Sequence, residues 1–185
     1  MDYRQKLRAY LNREIQALES LDIEAVNEVM NVLERARLSG KQIFICGNGG
    51  SAATASHFCC DFNKGVSEKR TRKYHFVCLS DNIPTMTAIA NDIGYGEVFR
   101  FPLRGRIERG DVLIGVSGSG NSENVVNAME YAKEQNAETI AVVGYSGGRL
   151  KRIADYSIHV EINDMQIAED IHMILDHMMM YVLSQ

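Results

Sequence analysis

IFICGNGGSAA, residues 43–53, is the stretch of sequence that indicates how this chain folds. Gln42–Cys46 forms a short, mostly apolar run, which is typical of a strand buried on both faces. Three glycines and Ser51 follow, and a serine in this position can cap the next helix. Glycines let a backbone come close to a ligand, and a helix N-terminus offers free N–H groups and a positive dipole end. The stretch therefore predicts a strand, an anion-binding turn and a helix, although a tight turn without a ligand would also fit it.

A second segment of the same kind is VLIGVSGSGNSENV, residues 112–125. The predicted strand leads into a loop that carries three hydroxyl groups before the next helix, at Ser117, Ser119 and Ser122. Ligands of open α/β sheets sit outside the carboxyl ends of the strands, which is where both segments would lie. Two such loops in one small chain favour a phosphate site over two plain glycine turns.

The rest of the chain alternates between short apolar runs and segments of helical spacing. Strands are predicted at 42–46, 74–79, 111–116, 139–143 and 156–160, and helices at 51–63, 85–91, 123–135, 150–154 and 165–183. Two further helices, 3–19 and 23–38, precede the first strand. The expected fold class is α/β, a doubly wound three-layer sandwich with a mainly parallel sheet and an N-terminal helical hairpin.

Composition excludes several classes of partner. The chain has 185 residues, 45% of them hydrophobic and 24% charged, with a formal net charge of −4. This charge offers no global attraction to nucleic acid or to an anionic membrane, and no apolar run reaches the roughly 20 residues that span a bilayer. The four cysteines have neither disulfide-scaffold density nor zinc-finger spacing, so we expect reduced thiols and a cytoplasmic protein.

The N-terminal hairpin, residues 1–38, and the last helix carry more apolar surface than one small sheet can cover. The last helix is apolar nearly all round, with a dense run of methionines at Met178, Met179 and Met180. Packing on the chain's own sheet and self-association are both open interpretations.

Two clusters of ionisable side chains supply candidates for proton transfer or metal binding. His57 and Asp61 are four residues apart on one predicted helix and share a face. The last helix carries the second cluster: Glu169, Asp170, His172 and His177. Glu169 and His177 lie roughly 80° apart around the helix axis and about 12 Å apart along it, so they reach one ligand only by leaning toward each other. Two histidines with carboxylates suit zinc.

The combination of GNGGSAA and HF with a later SGSGNS, and AIANDIGYGEVF between them, resembles the sugar isomerase (SIS) domain family, nearest to its phosphoheptose isomerases. The resemblance covers nearly the whole chain. It implies one SIS-type domain over residues 1–185, with the hairpin in self-association, and a homotetramer whose active sites lie between subunits. The residues it implies for binding the phosphorylated sugar are Asn48, Gly49, Gly50, Ser51, Asp92, Ser117, Gly118, Ser119, Ser122 and Glu169.

The resemblance also implies a divalent metal, often zinc, on four positions: His57, Asp61, Glu169 and His177. The implied base is Asp61, with His177 as its acid partner, and we expect either Asp61 or Glu169 to act as the base. This sequence departs from the family pattern at both carboxylates, since the family has Glu where Asp61 stands and Gln where Glu169 stands. It departs again at Gly118, where threonine is usual.

The expected function is an isomerase that interconverts sedoheptulose 7-phosphate and D-glycero-D-manno-heptose 7-phosphate through an enediol, for surface-polysaccharide heptose. One alternative is an isomerase of another phosphosugar. Another is a non-catalytic SIS-domain adaptor that binds a replication initiator protein, and a sugar-phosphate sensor would need a DNA-binding extension that this chain lacks. Bound zinc would separate the enzyme from the adaptor.

Overall fold

The computed structural model describes all 185 residues and is built around one five-stranded sheet. The strands are β1 (Ile43–Gly47), β2 (Phe76–Cys78), β3 (Val112–Ser117), β4 (Glu138–Val143) and β5 (Tyr156–His159). All four neighbouring pairs are parallel, in the order β2-β1-β3-β4-β5. The predicted α/β class and parallel sheet are confirmed.

Eight α-helices surround this sheet. They are α1 (Arg4–Glu19), α2 (Ile23–Leu38), α3 (Gly50–Cys60), α4 (Ile83–Asp92), α5 (Arg100–Leu103), α6 (Glu123–Glu134), α7 (Gly148–Ile153) and α8 (Met165–Leu183). Two features differ from the sequence prediction. The helix predicted to run to residue 63 changes at Asp61 into a π-helix, Asp61–Val66, and the short α5 was not predicted because four residues show no helical period.

The three central strands β1, β3 and β4 are buried on both faces, which explains their mostly apolar sequences, whereas the edge strands β2 and β5 are partly buried. Ile43 and Ile45 of β1 point into a core shared with α2, α3 and α8. Phe44 and Cys46 point into a second core, shared with α4, α5, α6 and α7. Helix layers therefore cover both sides of the sheet, as the three-layer prediction required.

The N-terminal pair of helices is divided between the core and the surface. Asp22 caps α2 by accepting a hydrogen bond from the Ala25 N–H at 3.1 Å, and α2 buries its apolar face on the sheet. Helix α1 instead leaves Leu7, Leu11 and Ile15 at 61%, 55% and 53% exposure. The predicted apolar surplus is thus a stripe along α1. No helix of the structure has the length and apolar character needed to cross a membrane.

Candidate active site

The two predicted loops lie side by side at the carboxyl edge of the sheet, because β1 and β3 are neighbours. Chain connections leave this point in opposite directions, to β2 on one side and to β4 on the other. A crevice at such a switch point is the usual ligand site of an open α/β sheet. The architecture therefore puts both loops where a common ligand could contact them.

The first loop is shaped by its glycines. Gly49 has φ +55°, in the left-handed region, and leads directly into α3. A methyl group added at Gly47 would lie 2.6 Å from the Ser51 carbonyl oxygen, so only glycine fits there. Ser51 is buried at 4% exposure in the first turn of α3, beside the free N–H groups of the helix start.

The Asn48 side chain joins the two loops. Its Nδ2 donates to Asn124 Oδ1 at 2.9 Å, and its Oδ1 accepts from Asn124 Nδ2 at 2.9 Å. The Tyr95 hydroxyl donates to the same Asn48 oxygen at 2.7 Å. Asn124 is almost fully buried at the start of α6. The first loop is therefore fixed to the helix that follows the second loop, and sequence reasoning had not found Tyr95 or Asn124.

The second loop brings its hydroxyls together. Ser117 Oγ and Ser122 Oγ are 3.1 Å apart, and the Gly120 N–H donates to Ser117 Oγ at 3.2 Å. Ser122 stands at the N-cap of α6 without a capping hydrogen bond, which leaves its hydroxyl and the first N–H groups of α6 available. Ser119 accepts from the Asn121 N–H at 3.2 Å. This arrangement can take a small anion.

Gly118 is explained by the start of α8. A methyl group at Gly118 would lie 2.5 Å from Met165 Sδ and 3.3 Å from its terminal methyl carbon. The Met165 side chain thus fills the space that a threonine would need. The departure from the family pattern at Gly118 is a packing feature of this chain.

Helices α3 and α8 bring four metal-ligating side chains together. One ligand atom from each of His57, Asp61, Asp176 and His177 lies within 4.8 Å of all the others. His57 Nε2 is 3.1 Å from His177 Nε2 and 3.5 Å from Asp61 Oδ2. Three of these four residues were predicted from the sequence, and Asp176 was not.

The donor set fits a divalent cation. Two nitrogens that bind zinc at about 2.05 Å lie about 3.3 Å apart in tetrahedral and about 2.9 Å apart in octahedral geometry. The 3.1 Å between the two Nε2 atoms falls within this interval. Two imidazole nitrogens and two carboxylates are ligands that zinc and related ions accept.

Asp176 is the exceptional member of this group. It is fully buried, and neither carboxylate oxygen has a hydrogen-bond partner. Burial, with a smaller contribution from the charge of Asp61, raises the pKa of Asp176 to about 8. An acidic residue inside an otherwise apolar helix is the signal that could have identified it from the sequence, because acidic side chains are seldom buried without a partner.

Glu169, the fourth ligand that the resemblance implies, lies outside this group. A methyl group at Gly50 would overlap Glu169 Oε2 and lie 2.7 Å from Oε1, so the carboxylate rests against the first residue of α3. The physical reason is the distance along α8, about 12 Å over the eight residues that separate Glu169 from His177. Glu169 therefore faces the first loop, at the end of α3 opposite to His57.

Two other predicted positions have separate surroundings. Asp92 is exposed at the end of α4, where its carboxylate accepts from Asn91 Nδ2 at 2.8 Å. Asp170 accepts a hydrogen bond from the Tyr10 hydroxyl, which ties α1 to α8 and raises the pKa of Tyr10 to about 12. Asp170 is thus a structural residue, and Asp92 makes no hydrogen bond to either loop.

Comparison with known proteins places this geometry in a family. The family model of the SIS domain matches residues 2–144. A phosphoheptose isomerase of a Nitratiruptor species is 39% identical over 145 residues, covering 78% of this chain and 77% of the relative. A phosphoheptose isomerase of Helicobacter pylori is 37% identical over 163 residues, covering 88% of this chain and 84% of the relative.

Solved structures agree with these relatives. The structure of a phosphoheptose isomerase from Neisseria gonorrhoeae superposes with a TM-score of 0.90 at 29% identity and covers 98% of both chains. A phosphoheptose isomerase from Francisella tularensis has the same fold, with a TM-score of 0.91 over 100% of both chains at 24% identity. The chain belongs to the SIS domain family of sugar-phosphate isomerases, within which it groups with the phosphoheptose isomerases.

Proposed function

We propose that the chain interconverts sedoheptulose 7-phosphate and D-glycero-D-manno-heptose 7-phosphate, for the heptose of surface polysaccharides. The proposal rests on one observation. The phosphate loops (residues 47–51 and 117–122) and the cation cluster (His57, Asp61, Asp176 and His177) both include residues of α3 or its immediate continuation. Ser51 of the phosphate loops lies in the first turn of α3, and His57 of the cation cluster lies two turns later. One substrate could therefore contact both.

The spacing of these sites supports a long sugar phosphate. Ser51 and His57 are about 9 Å apart along the helix axis, at 1.5 Å per residue. An extended chain advances about 1.2 Å per bond, so the eight bonds from C1 of a heptose 7-phosphate to phosphorus reach about 10 Å, whereas the four of a triose phosphate reach about 5 Å. A six- or seven-carbon sugar suits this distance.

The phosphate end of the substrate would be held by the loops. Ser51, Ser117, Ser119 and Ser122 would donate hydroxyl hydrogen bonds, with backbone N–H groups from Asn48–Gly50 and Gly118. The net charge of −4 is no obstacle, because helix starts and N–H groups bind phosphate without basic side chains. Asp92 is the proposed acceptor for a sugar hydroxyl.

The reactive end of the sugar, which carries C1 and C2, would lie beside His57, Asp61 and His177. Asp61 is our candidate for the base that moves a proton between C1 and C2, because Glu169 lies beside Gly50 at the phosphate end, and His177 is the acid partner. His57, Asp61 and His177 would hold the cation, most simply zinc. Such a cation would polarise the sugar carbonyl and stabilise the charge of the enediol oxygens.

The proposal extends to assembly and location. The exposed stripe of α1, together with half-open His57 on the surface of a lone chain, supports a homotetramer with active sites between subunits. All four cysteines are free, which supports a reducing, cytoplasmic setting. Light scattering on the purified protein checks the tetramer directly.

Turnover of sedoheptulose 7-phosphate tests the function. Zinc-loaded protein should form the aldose product, chelation should abolish this activity, and Asp61→Asn should lower kcat by about 100-fold or more at saturating Zn²⁺. Asp170→Asn is the matched control, because it makes the same Asp-to-Asn change outside the site and should leave kcat within a few-fold. No turnover by the zinc-loaded protein would refute the substrate assignment.

A panel of other ketose phosphates addresses the nearest alternative, an isomerase of a different phosphosugar. Preference for a pentose or hexose phosphate by kcat/KM would transfer the function to that substrate. The intact group of His57, Asp61 and His177 disfavours the replication-initiator adaptor, since an adaptor has no need of a cation cluster.

A further inference from the structure

Asp176 is a buried carboxylate that the proposed chemistry leaves without a role. Its side chain is fully excluded from solvent, and both of its oxygens lack a hydrogen-bond partner in the folded chain. A buried carboxyl group without a hydrogen bond is unfavourable in either protonation state, and most unfavourable when it is ionised, because it gives up its hydration without compensation. A fold that keeps such a group points to a partner that completes it.

No cationic side chain of the protein can be this partner. Asp176 takes part in no salt bridge, and two basic residues in and after the π-helix pair elsewhere, Lys64 with Glu68 and Arg70 with Glu34. The ionisable group whose charge most affects Asp176 is another carboxylate, Asp61. The Cys59 thiol is also close enough to respond to the charge of Asp176. The surroundings thus add negative charge and no positive charge.

The other neighbours of Asp176 are imidazole nitrogens. His57 and His177 bring their Nε2 atoms within 4.8 Å of a carboxylate oxygen of Asp176. His172, one helical turn before Asp176 on α8, is also fully buried without a hydrogen bond, and burial lowers its pKa to about 4, so it carries no charge at neutral pH. Metal binding requires ionised carboxylates and neutral imidazoles, so the four ligands together would carry a charge of −2, which one divalent cation neutralises.

We infer that Asp176 is a ligand of the cation, in the place where the family resemblance puts Glu169. This inference rests on the proposed function only in that both assume a divalent cation at His57, Asp61 and His177. Asp176 is next to His177 in the chain and inside the 4.8 Å group, whereas Glu169 lies against Gly50. Asp176 and Glu169 are seven residues apart, nearly on one face of α8 but about 10 Å apart along its axis.

This ligand set separates two tasks that one carboxylate would otherwise combine. Asp176 anchors the cation from the buried side, where no substrate can reach it. Glu169 keeps its carboxylate uncoordinated and facing the first loop, where it is free to accept a hydrogen bond from a substrate hydroxyl. The exposed side of the cluster, between the partly open His57 and His177, is left for substrate oxygens.

Metal-binding measurements on the full chain test the inference without reading activity. Wild type, Asp176→Asn, Asp176→Leu and the control Glu169→Gln are stripped with a chelator. Each is then titrated with Zn²⁺ against a chromogenic competitor and with Co²⁺, whose visible absorption reports ligand geometry. Both Asp176 variants should bind Zn²⁺ about 100-fold or more weakly and lose the wild-type Co²⁺ spectrum, because loss of a ligand exceeds the roughly 10- to 100-fold effect of outer-sphere changes. Glu169→Gln should bind within about threefold of wild type, with an unchanged spectrum.

Thermal unfolding in chelator shows whether each variant folds. Asp176→Leu removes an unpaired buried carboxyl group, so it should melt at or above the temperature of metal-free wild type, and added Zn²⁺ should raise the melting temperature of wild type and Glu169→Gln but not of the Asp176 variants. Wild-type affinity in the two Asp176 variants, a large loss in Glu169→Gln, or absence of Zn²⁺ binding by wild type would each overturn the inference. A protein that binds Zn²⁺ through Asp176 and fails to isomerise heptose phosphates would support the ligand assignment while refuting the proposed function.

Discussion

His172 is a buried histidine on α8 whose replacement should change how the stability of the protein depends on pH. It is fully excluded from solvent, and both ring nitrogens lack a hydrogen-bond partner. The nearby Val143 carbonyl opposes the burial effect, which remains the larger of the two. Burial therefore lowers the pKa of His172 from 6.5 to about 4.

The sign and size of the effect follow from proton linkage. Between pH 6.5 and pH 4 the unfolded chain binds a proton at His172 and the folded chain does not, so the unfolding free energy falls as the pH falls. With pKa values of 6.5 unfolded and about 4 folded, the loss is about 1.4 kcal/mol at pH 5.5 and about 3 kcal/mol at pH 4. His172→Leu removes this loss.

Urea unfolding of metal-free wild type and His172→Leu at pH 7, 5.5 and 4 measures this loss of unfolding free energy. The difference between the two proteins cancels the titration of all other groups, and it should change by about 3 kcal/mol in favour of the variant, or roughly 1 M in urea midpoint. Leu175→Ala on the same helix is the control, because its destabilisation carries no proton and should stay constant across pH. A His172→Leu curve that runs parallel to wild type at all three pH values would refute the reasoning.

Three further substitutions probe the loops. Gly120 has φ +64°, and a methyl group there would overlap the Gly147 carbonyl oxygen, so Gly120→Ala should cost at least about 2 kcal/mol and lower the melting temperature by roughly 4–8 °C in calorimetry. Tyr95→Phe removes the hydrogen bond to Asn48 and should raise KM several-fold in steady-state kinetics, with less than about 1.5 kcal/mol lost in urea. Ser122→Ala should raise KM for the phosphorylated substrate about tenfold and leave the binding of Zn²⁺ unchanged, as the competitor titration reports.

The layered sheet was predictable because burial on both faces leaves a direct mark on sequence. The central strands β1, β3 and β4 are mostly apolar in sequence, and for all five strands only the bounds differ from the prediction. The largest change is in β2, predicted at 74–79 and formed only at Phe76–Cys78. This strand lies at the edge of the sheet and pairs with β1 alone, so fewer of its residues are held in a ladder.

The site was only partly predictable, because its chemistry depends on how α3 meets α8. Spacing along one helix assigned His57 and Asp61 to a common face, and their proximity to His177 is confirmed in the folded chain. The choice between Glu169 and Asp176 was beyond such reasoning. That choice depends on which residues of α8 lie beside His57 when the two helices pack. This is a property of packing between helices that neither helix sequence encodes by itself.

Helix α3 connects the first phosphate loop to the cation cluster. This connection limits how substrate preference can be engineered or can evolve. Adding one residue to this helix would move His57 about 1.5 Å further from Ser51 and turn it by about 100°, off the face that meets α8. A sugar shorter by one carbon changes the required reach by only about 1.2 Å. Insertions in α3 therefore cannot adjust the enzyme to a sugar of different length. Variants selected for a shorter sugar should carry their changes in the two loops.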